Sequence, residues 1–132
     1  MIRSTLLAVA LALALAPVAS ADWRSDTFKS PSGNLICKYR YAYNRITCGA
    51  FNTQMVITMG ATSRPVQGNR LSWDAGTYWP VLGYGWKWNA GKPISCTSLR
   101  AGMRCQNFAG WYFMLSRSGV VVGRYGEDYY RL

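Results

Sequence analysis

Two stretches of the chain alternate apolar and polar residues with a period of two, and each carries a pair of cysteines on its apolar side. Over residues 35–41, Leu35, Cys37, Tyr39 and Tyr41 share one face while Lys38 and Arg40 face the other way. This is the pattern of a half-buried strand, in which successive side chains point to opposite faces. The return strand over 45–51 sets Ile46 and Cys48 on the cysteine face, with Ala42, Tyr43 and Asn44 near the turn. Downstream, Ile94, Cys96, Met103 and Cys105 share a face, and Ser95, Thr97, Arg104 and Gln106 share the other. This second hairpin turns around Leu99-Arg100-Ala101-Gly102, where Gly102 can take a positive φ. Both units read glycine, strand, cysteine, turn, strand, cysteine, as an old duplication or two independent uses of one stapled hairpin would.

Further strands are expected over 54–59, 70–73, 80–88 and 110–117, and over Val120, Val121 and Val122 after a turn at Ser118-Gly119. Residues 62–69, with Pro65 and Gly68, read as a loop, and 123–132 as an aromatic and charged tail that adds an edge strand. No segment carries helical periodicity. About seven or eight short strands with frequent glycine turns predict an all-β domain, a small disulfide-stapled antiparallel sandwich or partly closed barrel.

The start of the chain is of another kind. Arg3, the Leu, Ala and Val run over 6–15, Pro17 and Ala19-Ser20-Ala21 form the sequence of an export signal. They predict a signal peptide over 1–21, cleaved after Ala21, and a single secreted β domain over 22–132, extracellular or periplasmic. The apolar run is short of the roughly 20 residues a membrane span needs; an uncleaved anchor is the alternative. In an oxidising compartment four cysteines pair. Of the three connectivities, short sequence separation favours Cys37 with Cys48 and Cys96 with Cys105. Zinc is the competing reading, but C-x2-C pairs and histidine are absent.

Composition then describes the surface. Lys and Arg number 15 against 5 Asp and Glu; loss of Arg3 with the signal leaves 14 against 5, a net charge of +9. Such an excess favours anionic surfaces, whether phosphate polymers, lipid headgroups or extracellular nucleic acid. The candidate binding residues are Lys38, Arg40, Tyr84, Trp86, Lys87, Trp88 and Arg104. On a strand over 80–88, Tyr84, Trp86 and Trp88 share one face with Lys87 opposite, and Trp73, Tyr78 and Trp79 lie shortly before. If exposed, that face is a stacking platform for sugars or bases; if buried, it is core. Trp111, Phe113 and Leu115 read as core. Lys38, Arg40, Arg45, Arg100, Arg104 and Arg117 are either an ordinary solvated scatter or a gathered anion patch. A gathered patch binds phosphates in a salt-dependent way, without base specificity.

Catalytic chemistry finds little to work with. There is no histidine, the usual base near neutral pH. The carboxylates are Asp22, Asp26, Asp74, Glu127 and Asp128, and the adjacent Glu127 and Asp128 would project to opposite faces of a strand, a poor glycosidase pair. Neither G-x-S-x-G nor S-x-x-K occurs, and Gly83-Tyr84-Gly85 lacks the third glycine of a dinucleotide loop. No cofactor or metal is implied.

The segments Phe28-Lys29-Ser30-Pro31-Ser32-Gly33-Asn34-Leu35-Ile36-Cys37, Pro80-Val81-Leu82-Gly83-Tyr84-Gly85-Trp86-Lys87-Trp88, Gly102-Met103-Arg104-Cys105-Gln106-Asn107 and Phe113-Met114-Leu115-Ser116-Arg117 resemble a group of small secreted bacterial proteins that carry a domain of unknown function. The group is marked by T/S-P-S-G-N-x-x-C, Y-G-x-x-W and a final C-x-N…F-x-L-S-R. The resemblance spans nearly all of the mature chain and implies no reaction. It departs where the group often has a Gly-His-Gly-Phe-like step, here Ala109-Gly110-Trp111-Tyr112-Phe113.

Three functions are thus expected to compete. The foremost is a non-catalytic, monomeric binding module for anionic cell-envelope or extracellular material. The others are a secreted inhibitor of an acidic protein target and a hydrolase with an atypical site around Asp74.

Overall fold

The structure is a computed structural model and describes residues 25–68, 79–89 and 93–125. The expected signal peptide over 1–21, the strand over 70–73, Trp73, Tyr78 and the tail beyond 125 lie outside the described residues.

The described chain builds two five-stranded antiparallel meanders. The first runs β1 (Thr27–Lys29), β2 (Leu35–Arg40), β3 (Arg45–Ala50), β4 (Val56–Gly60) and β5 (Val66–Gly68) in chain order. The second runs β6 (Lys87–Trp88), β7 (Ile94–Leu99), β8 (Gly102–Asn107), β9 (Trp111–Ser116) and β10 (Gly119–Arg124), also in order. Their apolar faces meet in one core, giving a sandwich and not a closed barrel. Each disulfide joins residues directly opposite each other in its sheet, Cys37 with Cys48 between β2 and β3 and Cys96 with Cys105 between β7 and β8.

The two halves repeat each other strand for strand. Phe28 of β1 pairs with Cys37 as Trp88 of β6 pairs with Cys96. Ile57 of β4 pairs with Cys48 as Phe113 of β9 pairs with Cys105. These equivalent residues meet at the centre, where the Phe28 and Trp88 rings stack with centroids 5.3 Å apart and the Cys48 and Cys105 sulfurs approach to 4.0 Å. The repeat legible in the two hairpins thus extends over five strands on each side.

Buried polar groups are paired where they tie the layers together. Trp88, wholly buried, donates its indole N–H to the Ser25 carbonyl at 3.0 Å. Asn107, at the end of β8, donates to the Gly60 and Ser63 carbonyls of the first sheet and accepts from the amides of Ala109 and Trp111, so the full capacity of its amide group is used. Tyr39, also buried, packs on Trp88 and donates its hydroxyl to Asn44 Oδ1 at 2.8 Å.

Three elements differ from expectation. Residues 62–69 contain β5, a short and wholly exposed edge strand in register with β4, and β1 precedes the first hairpin. Among the described residues ten strands therefore stand where seven or eight were expected for the domain. The expected strand over 80–88 contracts to Lys87–Trp88 and one parallel bridge between Lys29 and Val81. Gly85 takes φ +82° and the Trp86 amide closes on the Gly83 carbonyl at 3.0 Å, so the chain turns where alternation suggested extension.

Two outcomes follow from this packing. Replacing Cys37 and Cys48 together by alanine should cost about 2–4 kcal/mol, since each bridge removes loop entropy from the unfolded chain; denaturant unfolding measures it. Because all four cysteines are fully buried, alkylation in the presence of reductant should label none in native buffer and all four in guanidinium. The Tyr39 hydroxyl ionises above the ordinary tyrosine range, first because burial disfavours phenolate and second because Tyr41 adds like charge. Its contribution to stability is therefore complete below the unfolded tyrosine value and is lost as pH rises toward the folded one. Unfolding free energy should fall with increasing pH in the alkaline range, and Tyr39→Phe should flatten that slope.

Candidate functional site

Four turns converge on an open cleft of about 420 Å³. They are the β1–β2 loop with Ser30, Ser32 and Asn34, the turn at Tyr84-Gly85, the β7–β8 turn with Arg100 and Ala101, and the β9–β10 turn with Arg117 and Ser118. Three of them are pinned by hydrogen bonds, and the fourth by close packing. Ser30 Oγ accepts the Leu35 amide at 3.1 Å while the Ser30 amide donates to the Leu35 carbonyl at 2.8 Å. Asn34 and Asn52 exchange two bonds of 3.0 Å, and Asn52 Nδ2 reaches the Arg117 carbonyl at 3.1 Å, joining the first sheet to the β9–β10 turn. The Gly85 amide donates to the Ser98 carbonyl at 2.6 Å and the Ser98 amide to the Trp86 carbonyl at 3.0 Å, which fastens the Tyr84 turn to β7. Gly102 has φ +151°, and a Cβ there would collide with the Leu115 carbonyl oxygen; the β7–β8 turn sits this close to β9 because residue 102 has no side chain.

Chemically the cleft is cationic and hydroxyl-rich. Its described lining residues present the Arg100 and Arg117 guanidiniums and four serine hydroxyls, with Leu35, Leu99 and Ala101 as apolar lining, and no carboxylate is among them. Arg100 lies over the Tyr84 ring, 5.2 Å from its centroid.

A second cationic and aromatic surface lies on the outer face of the second sheet. The Arg104 guanidinium sits 5.1 Å from the Tyr112 ring and 5.3 Å from the Tyr125 ring, and its buried Nε has no hydrogen-bond partner among the described residues. Tyr112 lies across Gly123, its directly opposed residue, so closely that a Cβ there would meet the ring. At the start of β9, Trp111 packs partly against the core and is flanked by Arg64 at 5.7 Å and Arg124 at 5.2 Å.

The residues expected to form one binding face are dispersed. Trp88 is core and is withdrawn from the candidate site, because its strand neighbour Cys96 and the stacked Phe28 place it between the sheets. Tyr84 lines the cleft, whereas Trp86 is 42% exposed on the turn beside it. Lys87 and Arg104 both lie opposite Thr97 on the outer face of the second sheet. Lys38 is half-buried on the outer face of the first sheet, and Arg40 faces Arg45 at the exposed β2–β3 turn. The cations thus occupy several surfaces, with Arg100 and Arg117 alone meeting in the cleft. Arg100 and Arg117 belonged to the expected anion patch, whereas the serines and Asn34 were in neither expected set; the signal that marks them is that all lie in turn segments.

Among the described residues Asp26 is the one carboxylate; Asp74, Glu127 and Asp128 lie outside them. The sulfurs of Cys37, Cys48 and Cys105 lie within 4.8 Å of one another, but all are bonded in disulfides and offer no thiolate to zinc. No helix among the described residues is long and apolar enough to cross a membrane. Compared with known proteins, the chain matches no family model, no curated protein and no solved structure.

Gly123→Ala should push Tyr112 off the sheet and release Arg104 from between the two rings. The expected readout is loss of the ring-current shift on the Arg104 side-chain protons, with a stability cost of about 1–3 kcal/mol for the forced overpacking.

Proposed function

We propose that the protein is an exported, non-catalytic binding module that engages anionic cell-envelope polymers through its basic and aromatic surface. The observation that carries this reading is the charge balance: beyond the expected signal the chain carries 14 Lys and Arg against five carboxylates, and among the described residues ten Lys and Arg face Asp26 alone. Such a body attracts polyanions from every side and gains affinity by releasing their counterions. Arginines laid on tyrosine and tryptophan rings keep their charge while losing freedom, so less entropy remains to be lost on binding. Export supplies the oxidising compartment that the two disulfides fit, and the resemblance to small secreted bacterial proteins belongs to the same proposal.

The test is adsorption to an immobilised glycerol-phosphate polymer. Apparent affinity should fall by about tenfold or more between 50 and 200 mM salt, as neutralisation of a few phosphates requires. Absence of adsorption at low salt, or adsorption indifferent to salt, refutes the proposal.

A further inference from the structure

We propose that the cleft lined by Arg100 and Arg117 is a site for one anionic sugar unit, a pyranose bearing a phosphate or a carboxylate. This deepens the binding reading and rests on it: the dispersed cations attract the polymer, and the cleft takes a single unit of it.

Size, charge and lining each narrow the ligand. A volume of about 420 Å³ falls in the range of roughly 300–1,000 Å³ typical of small-molecule sites, too small for more than a short piece of a polymer. Two guanidiniums without a carboxylate among the described lining residues select an anion, and their planar forks match the oxygens of phosphate or carboxylate. A bare anion would leave the rest of the cleft unused. Ser30 and Ser32 are paired at 3.1 Å, as are Ser116 and Ser118 at 3.0 Å. Each pair shares one proton between two oxygens and so keeps a further donor or acceptor for a polyhydroxylated partner. Tyr84 is 42% exposed with Arg100 over its ring, and with Leu99 and Ala101 it offers the flat apolar contact that the C–H face of a pyranose takes.

The cleft is also built in advance of any ligand. The Asn34–Asn52 pair, the Asn52 bond to Arg117, the Gly85 amide's bond to the Ser98 carbonyl and the Ser98 amide's bond to the Trp86 carbonyl hold three of the four turns to the sheets. Binding there orders little beyond two arginine side chains.

The experiment is an amide NMR titration of the intact mature protein at low salt with glucose 6-phosphate, glucuronate, glucose and inorganic phosphate as separate probes. At least one of the two anionic sugars should shift the amides of Ser32, Asn34, Ala101 and Ser118, at a dissociation constant at least about tenfold below those of glucose and inorganic phosphate. The tighter of the two identifies the acidic group that the site takes. Arg117→Gln should weaken that binding by about tenfold or more, the scale of a lost charged hydrogen bond, and Tyr84→Ala by about threefold or more, the scale of a lost ring contact, whereas Arg45→Gln at the β2–β3 turn should leave it unchanged. All three positions are exposed, and dispersed spectra verify that the variants fold. Inorganic phosphate binding as tightly as the sugar phosphate, glucose binding as tightly as either acid, or no shifts at these amides overturns the cleft assignment. Salt-sensitive polymer adsorption that persists in such a case leaves the broader reading standing, and its absence in the unaltered protein removes that reading independently.

Discussion

The contact on which the molecule depends is the meeting of its two disulfides at the centre of the sandwich, where sulfur stands 4.0 Å from sulfur across the sheets. Each bridge spans residues whose Cα atoms are 4.1 or 4.0 Å apart, the close spacing of a non-hydrogen-bonded antiparallel pair. A bond at that position forbids register slip, which would turn every core residue of a strand to solvent. Neither bridge crosses between the sheets. What holds them together is packing of the residues that the bridges align, Phe28 on Trp88 and Ile57 and Phe113 beside the sulfurs, with Asn107 adding hydrogen bonds from one sheet to the turn of the other. In a domain with a thin core, fixing register covalently lets a few large side chains suffice.

Because the halves repeat, their interior positions match and their differences lie in the connections. Ile46 and Met59 on one side correspond to Met103 and Leu115 on the other, through the same pairings. The departures inside are few: Tyr39 corresponds to Ser98, and Ala50 to Asn107. The turns diverge more. Four residues, 41–44, join β2 to β3, whereas Arg100 and Ala101 alone join β7 to β8, and Gly102 brings that short turn against the end of β9. The shorter connection leaves room beside it, and there the Ser30–Asn34 loop, Tyr84 and Arg117 gather. A repeat that satisfies the core twice over leaves its turns free to carry chemistry.

This division explains what could be read from the sequence. Cysteine spacing and alternation over 35–51 and 94–107 identified both hairpins, because burial on one face imposes a period of two on the residues themselves. The edge strand β5 imposes no such period, since all three of its residues are exposed. Over 84–88, aromatics at every second position imitate a strand face, but Gly85 between the first two takes φ +82° and lets the chain turn, and Tyr84 and Trp88 end in different environments. The cleft was hidden for a more general reason. Its residues come from segments up to 88 positions apart, Ser30 to Ser118, and serine, asparagine and glycine are the residues that turns use whether or not they bind anything. Only the register of two sheets makes them neighbours.

The aromatic content of the chain gains a second meaning from its shortage of acids. An arginine on a protein surface is commonly steadied by a carboxylate, and that contact contributes about as much, near 0–1 kcal/mol, as a guanidinium lying on an exposed ring. The two arrangements differ in what they leave behind. A carboxylate cancels the charge, whereas a ring restrains the side chain and leaves the full positive charge facing outward. Here Arg100 rests on Tyr84, Arg104 on Tyr112 and Tyr125, and Arg64 and Arg124 on Trp111. The same body therefore stays ordered and strongly cationic, a combination that ion pairing would have prevented and that an electrostatic binder requires.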